Sequence, residues 1–291
     1  MNLFYFFLNS CNTKTNKNQV ELNKSISTRL PTTITYKKIQ SSHSGITFSN
    51  DIKHDLSSKS NLFDYDFFYN GAGVGIVDIN NDNLPDIFFI GNQVPNRLYL
   101  NKGDFQFEDI TKTSNINQNK HWSNGVTFAD INNDGWMDIY VSQGGPYQKD
   151  LRNNLLLINQ KNNTFKEEAN SYGLADIGIS TQSAFFDFDK DGDLDCVVMN
   201  ENDYYGTDPK QFFTILKDKN KLKENSSHLY RNDNGNFKDI TEQSGLMKAT
   251  FGLGLCVSDI NNDDWLDIYI ANDYYVPDMM FLNNKNGTFT N

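Results

Sequence analysis

One nine-residue pattern occurs four times in this chain and constrains its fold more than any other feature. The copies are Asp78-Ile-Asn80-Asn-Asp82-Asn-Leu84-Pro-Asp86, Asp130-Ile-Asn132-Asn-Asp134-Gly-Trp136-Met-Asp138, Asp187-Phe-Asp189-Lys-Asp191-Gly-Asp193-Leu-Asp195 and Asp259-Ile-Asn261-Asn-Asp263-Asp-Trp265-Leu-Asp267. Oxygen-bearing side chains fall at positions 1, 3, 5 and 9 of every copy. A loop that curls tightly brings alternate side chains together, and a hard cation such as Ca²⁺ takes roughly 6–8 oxygen ligands in such a shell. The carbonyl of position 7 (Leu84, Trp136, Asp193, Trp265) is expected to add a main-chain ligand. Position 6 has to turn sharply: Gly135 and Gly192 do so without steric cost, and Asn83 and Asp264 are among the side chains that best tolerate it.

Charge supports the same chemistry. The four loops carry −3, −3, −4 and −4, a sum of −14, whereas the whole chain carries −11, so everything outside the loops sums to +3. Carboxylates packed this densely repel one another unless a cation lies among them. An isolated Asp-Asn-Gly string can equally be a surface turn, but four copies in register favour metal.

Position 12 separates this loop from an EF-hand, which needs an acidic bidentate ligand there and a helix beyond. Here position 12 is Phe89, Val141, Val198 and Ile270, each inside an apolar run that reads as a buried strand. Small-residue runs precede the loops, as in Gly71-Ala-Gly-Val-Gly-Ile-Val77 and Gly252-Leu-Gly-Leu-Cys-Val257. A second signature follows them: Leu98-Tyr-Leu-Asn101, Leu156-Leu-Ile-Asn159, Leu229-Tyr-Arg-Asn232 and Met280-Phe-Leu-Asn283, each succeeded by a turn and a Phe. Each unit therefore reads as four antiparallel strands, with the metal loop between the first two. The first Asp residues lie 52, 57 and 72 residues apart (130−78, 187−130, 259−187). That period and strand count predict an all-β chain of β-propeller blades.

With these motifs in hand the chain resembles the FG-GAP/VCBS repeats of integrin α-subunit propellers. It resembles more closely the bacterial VCBS-repeat lipoproteins related to cartilage acidic protein and to ASPIC/UnbV proteins, over residues 43–291. The resemblance implies Ca²⁺ at the loop Asp and Asn residues and a propeller that serves as a recognition surface. The last unit stops inside its outer strand, so the blades are expected to form an incomplete ring, with a compact four-blade ring as the alternative.

Residues 1–11 contain a short apolar run, too short to span a bilayer, that ends Leu8-Asn-Ser-Cys11. This resembles a lipobox, with Cys11 the lipidated residue, and implies a bacterial cell-envelope location, either an outer-membrane lipoprotein or an extracellular protein. Residues 12–42 then read as a flexible tether. Cys196 and Cys256 are expected as small buried side chains and not as a disulfide. The acidic balance, with pI near 4.8, argues against nucleic acid as a partner.

The sequence holds no nucleophile elbow, phosphate-cradling loop or His-Glu-x-x-His pair. The expected role is a calcium-stabilised surface module that binds a glycan or protein ligand. The alternatives are a carbohydrate-active enzyme resembling propeller polysaccharide lyases, or a scaffold for a further domain. Asn-Asp-Tyr204-Tyr205 and Asn-Asp-Tyr274-Tyr275 occupy equivalent places after the second strand, and Tyr204, Tyr205, Tyr274 and Tyr275 are the candidate ligand-binding residues. The extra residues of the third interval, about 206–227, are expected to form a polar loop.

Overall fold

Among the described residues, sixteen strands fold into four successive four-stranded antiparallel sheets, each paired in simple chain order. The computed structural model describes residues 36–116 and 122–291, so Cys11, the expected signal segment and residues 12–35 of the tether lie outside the described residues. The first sheet is β1 (Val74–Val77), β2 (Asp86–Phe89), β3 (Arg97–Asn101) and β4 (Phe107–Asp109). The second is β5 (Ser123–Ala129), β6 (Asp138–Gln143), β7 (Leu155–Asn159) and β8 (Phe165–Glu167). The third is β9 (Ile179–Phe186), β10 (Asp195–Glu201), β11 (His228–Asn232) and β12 (Phe237–Asp239). The fourth is β13 (Gly252–Ser258), β14 (Asp267–Asn272), β15 (Met279–Asn283) and β16 (Phe289–Thr290). These are propeller blades, as the repeat predicts.

The second strand of each blade is apolar on both faces because both are covered. Ile139 and Val141 of β6 pack with Phe88, Ile90 and Leu98 of the first blade, while Tyr140 joins Cys196, Val198 and Tyr230 of the third. Val197 and Met199 of β10 in turn meet Ile268, Ile270 and Phe281 of the fourth. The first strands β1, β5, β9 and β13 stand side by side in chain order. Their small residues answer this crowding: a Cβ at Gly125 would overlap the Thr181 carbonyl, and one at Gly75 the Phe128 ring.

Among the described residues the fourth blade does not meet the first as consecutive blades meet one another. Leu98, Leu156 and Leu229 are fully buried at one repeat position, while the equivalent Met280 is 42% exposed. The outer side of the first blade is covered locally: the Phe48 ring stacks on Phe89 at 4.9 Å and the Thr47 N–H donates to the Tyr99 hydroxyl at 3.3 Å. An aromatic segment, Tyr65 to Phe68, lies at one end of the arc. Tyr65 meets Trp122 edge-on at 5.5 Å, and Phe67 meets Tyr205 and Tyr274 at 6.2 and 6.1 Å.

Two expectations need correction. Residues 206–227 are not a polar loop but carry two helices, Pro209–Ile215 and Lys219–Glu224. The Asp208 carboxylate accepts from the N–H groups of Lys210 and Gln211, and Asp218 does the same for Asn220 and Lys221, so each helix starts on an N-cap. Cys196 is buried as expected, but Cys256 is exposed; both are free thiols. Cys256 lies on β13, in the fourth blade.

His228 is buried in β11 and forms an ion pair. Its Nδ1 lies 2.6 Å from Asp176 Oδ2 and its Nε2 lies 2.9 Å from the Lys223 carbonyl. Both partners are acceptors, so both ring nitrogens carry protons and the ring is an imidazolium. Burial alone would push its pKa down, yet the Asp176 carboxylate outweighs it and holds His228 up at about 9, above the usual 6.5. Burial would likewise raise Asp176, but the His228 charge and its hydrogen bonds hold it at about 2 against 3.8. The histidine's contribution to stability is thus complete below pH 6.5 and is lost as pH rises through about 9. The aspartate's contribution is complete above pH 3.8 and is lost as pH falls through about 2. Melting temperature should fall on the alkaline side, and His228→Gln should flatten that fall. An unchanged alkaline slope in the variant would contradict the assignment.

Candidate functional site

The four acidic loops share one hydrogen-bond plan. The position-1 carboxylate caps the turn: Asp130 accepts from the N–H groups of Asp134 at 2.9 Å and Gly135 at 2.7 Å, and Asp259 accepts from Asp263 and Asp264, both at 2.9 Å. Asp78 accepts from Asp82 and Asn83, and Asp187 from Gly192. The position-5 carboxylates of Asp82, Asp134, Asp191 and Asp263 accept from the N–H of position 7, that is Leu84, Trp136, Asp193 and Trp265. Position 6 has positive φ in every copy (66° at Asn83, 85° at Gly135, 98° at Gly192, 67° at Asp264), as its composition predicts. Position 4 does too, at Asn81, Asn133, Lys190 and Asn262, and Asn in three of the four copies is the residue that suits it.

Position 9 does more than offer a ligand. Asp86, Asp138, Asp195 and Asp267 are fully buried, and each is a two-armed clip. One oxygen accepts the N–H of loop position 2 (Ile79, Ile131, Phe188, Ile260), in each case at 3.0 Å. The other accepts the N–H of the third-strand Asn (Asn101, Asn159, Asn232, Asn283) at 2.7–2.8 Å. That Asn returns a bond to a loop carbonyl, and in two blades it crosses to the preceding one: Asn159 Nδ2 donates to Ile79 O and Asn283 Nδ2 to Phe188 O, both at 2.8 Å. The second repeat signature is therefore the partner of the first, tying loop, strand and neighbouring blade together.

Burial raises the carboxyls of Asp86, Asp138 and Asp195, with Asp138 at about 6 and Asp195 at about 7; nearby loop aspartates add to the rise and the two backbone N–H bonds oppose it. Such groups gain from a cation in the same loop. The third loop fits one best. Asp187, Asp189 and Asp195 each present a carboxylate oxygen, all within 4.8 Å of one another. Oδ1 of Asp187 and Oδ1 of Asp189 are buried and have no hydrogen-bond partner. Two orphaned buried carboxylate oxygens facing a third carboxylate are the donor set of a hard cation. The second and fourth loops carry an internal cation instead: Lys161 lies 3.2 Å from Asp134, and Lys285 lies 3.2 Å from Asp263. Asn80 and Asn261 turn their amide nitrogens to Asp82 and Asp263, at 3.0 and 3.1 Å.

The paired tyrosines do not stand as free ring faces. Tyr205 donates its hydroxyl to the Asp64 carbonyl at 2.8 Å, and Tyr274 donates to the Asp66 carboxylate. Tyr275 donates to the Thr207 carbonyl at 2.6 Å and packs with Phe212 and Phe251, and Tyr204 belongs to the same cluster. The reason is the segment after Asn61, whose aromatic residues cover this end of the arc. It has no repeat counterpart, so no periodicity in the sequence points to it.

Comparison with known proteins agrees with this architecture. Residues 78–141 match the model of the FG-GAP-like repeat family. Cartilage acidic protein 1 of Xenopus tropicalis is 30% identical over 202 residues, which cover 69% of this chain and 28% of that protein. The Homo sapiens protein of the same name is 24% identical over 202 residues with the same coverage. The chain thus spans well under a third of the curated relatives it matches. Among solved structures, an Agrocybe aegerita lectin described as recognising non-reducing terminal N-acetylglucosamine has a TM-score of 0.45 and 18% identity, over 76% of this chain and 52% of that one. Residues 78–141 thus match an FG-GAP-like repeat, and the same loop and Asn partner recur in all four blades.

Proposed function

We propose that the chain is a calcium-stabilised binding module, displayed at the cell surface, that recognises a glycan or protein ligand through one face of its blades. The observation that carries the calcium part is the pair of buried, unpartnered oxygens on Asp187 and Asp189 beside Asp195. The Asp and Asn side chains of positions 1, 3, 5 and 9 would hold the ion, which would supply fixed positive charge that neutralises the loop and restrains its two flanking strands. Lys161 and Lys285 partly replace that charge in the second and fourth loops, so the third loop should bind most tightly.

Binding, as opposed to catalysis, is supported by the loops themselves. Their position-1, position-5 and position-9 carboxylates accept from backbone N–H groups, and the unpartnered oxygens of Asp187 and Asp189 lie beside Asp195 within the loop. Recognition would fall to the connections after each second strand, which gather at one end of the arc. The test is an array of glycans and extracellular-matrix proteins probed in calcium and again in excess chelator. At least one class should be retained in calcium and lost without it. Retention that is indifferent to chelator, or no retention at all, would refute the proposal.

A further inference from the structure

The same bulge recurs in three blades. Pairing slips by one residue between Ser123 and Gly125, between Met199 and Asn200, and between Gly252 and Gly254. The extra residues are Asn124, Thr181 on β9 opposite the Met199–Asn200 step, and Leu253. Each stands six positions before the first Asp of its loop (130−124, 187−181, 259−253), and Ala72 holds that place in the first blade (78−72). These four equivalent residues line one cavity of about 370 Å³ on the arc's inner side, together with Tyr65, Phe67 and Glu201. A bulge redirects a side chain that the ladder would otherwise constrain, and here four blades aim the same position at one space.

The lining is divided. Ala72 and Leu253 are apolar, while Asn124 and Thr181 are polar. Thr181 donates its proton to the Met199 or Gly252 carbonyl at 3.2 and 3.1 Å, leaving the hydroxyl oxygen to accept. Asn124 gives an N–H to the Ser180 carbonyl at 2.8 Å, leaving its amide oxygen. Glu201 is 3% exposed, and its Oε2 is buried without a hydrogen-bond partner. No lysine, arginine or histidine is among the described residues lining the cavity. The nearby Arg152 is already held by Asp203, at 2.8 and 3.3 Å.

The geometry points to a binding site for a small organic ammonium, with Glu201 as its counter-ion, the Thr181 and Asn124 oxygens as further acceptors, and the Tyr65 and Phe67 rings alongside. An ammonium has three N–H donors and no acceptor, which suits a space whose buried polar atoms are mainly acceptors. Aromatic rings favour the same charge, and the Ala72 and Leu253 side suits the carbon part of an alkylamine. A lysine side chain and an amino sugar both present this group.

Calorimetric titration of the whole chain tests this, in saturating calcium so that its outcome is separate from that of the metal loops. The probes are n-butylammonium and glucosamine, each against its neutral analogue, n-butanol and N-acetylglucosamine. An ammonium probe should bind saturably and at least about tenfold more tightly than its neutral analogue, consistent with a buried charge pair. Glu201→Gln, which keeps the shape, should weaken it by about tenfold or more. Should that variant not fold, Leu253→Lys provides the second test, because a tethered ammonium from the equivalent position should displace the probes. Butylammonium alone binding identifies an alkylamine ligand, and glucosamine binding as well admits amino sugars; both support the site. Absence of saturable binding, equal binding of neutral analogues, or unchanged binding in a folded variant would overturn it.

Discussion

Stripping calcium from this protein should lower its melting temperature by roughly 5–10 °C for each loop that binds the ion well, and restoring calcium should reverse the loss. A ligand that binds only the folded state at about 100 times its Kd adds about 2.7 kcal/mol. For a domain of this size each kcal/mol moves the midpoint by roughly 2–4 °C. Magnesium should not substitute, since it demands a smaller, near-ideal octahedral shell and gives up water reluctantly. The effect should concentrate in the third loop, where Asp187 and Asp189 leave buried oxygens unpartnered. In the second and fourth loops Lys161 and Lys285 already supply positive charge at 3.2 Å. Differential scanning calorimetry in chelator, calcium and magnesium checks this. Superimposed melts in chelator and calcium would contradict it.

The second large effect is independent of metal. In excess chelator, Asp195→Ala should destabilise the protein by roughly 2–6 kcal/mol, because the buried N–H groups of Phe188 and Asn232 each lose their acceptor at about 1–3 kcal/mol apiece. Total stabilities are only about 5–15 kcal/mol, so this variant should lose a large share of its stability. Asp195→Asn should cost less, since one oxygen can still accept while its amide group meets the other N–H. Asp193→Ala should cost no more than about 0.5 kcal/mol, because its bond to the Asn234 N–H at 3.2 Å is exposed. Urea unfolding of the three variants gives the order. If Asp195→Ala melts like Asp193→Ala, the clip does not hold the blade.

The repeat makes the blades legible because loop spacing, apolar second strand and Leu-x-x-Asn recur in fixed register. The turn at position 6 is legible for the same reason, and the proposed ligand set rests on the same spacing. The double role of position 9 is hidden, since an Asp that clips two backbone N–H groups and an Asp that ligates a cation are the same letter at the same spacing. Only the Asn101, Asn159, Asn232 and Asn283 partners, whose N–H groups lie 2.7–2.8 Å from these carboxylates, distinguish them. The helices within 206–227 left a signal in Asp208-Pro209 and Asp218, cap residues that a count of lysines overlooks. The aromatic segment around Tyr65 gives no such signal. It follows no period, and its place is set by tertiary contacts with Trp122, Tyr205 and Tyr274.

The central claim is that these acidic loops are cation sites that hold strands and blades together. Calorimetric titration of calcium into the stripped protein, beside an Asp187→Asn/Asp189→Asn variant, tests it most directly. The account predicts saturable binding whose tightest site disappears in the variant while the weaker sites remain. Identical isotherms for the two proteins, or no heat from either, would contradict it.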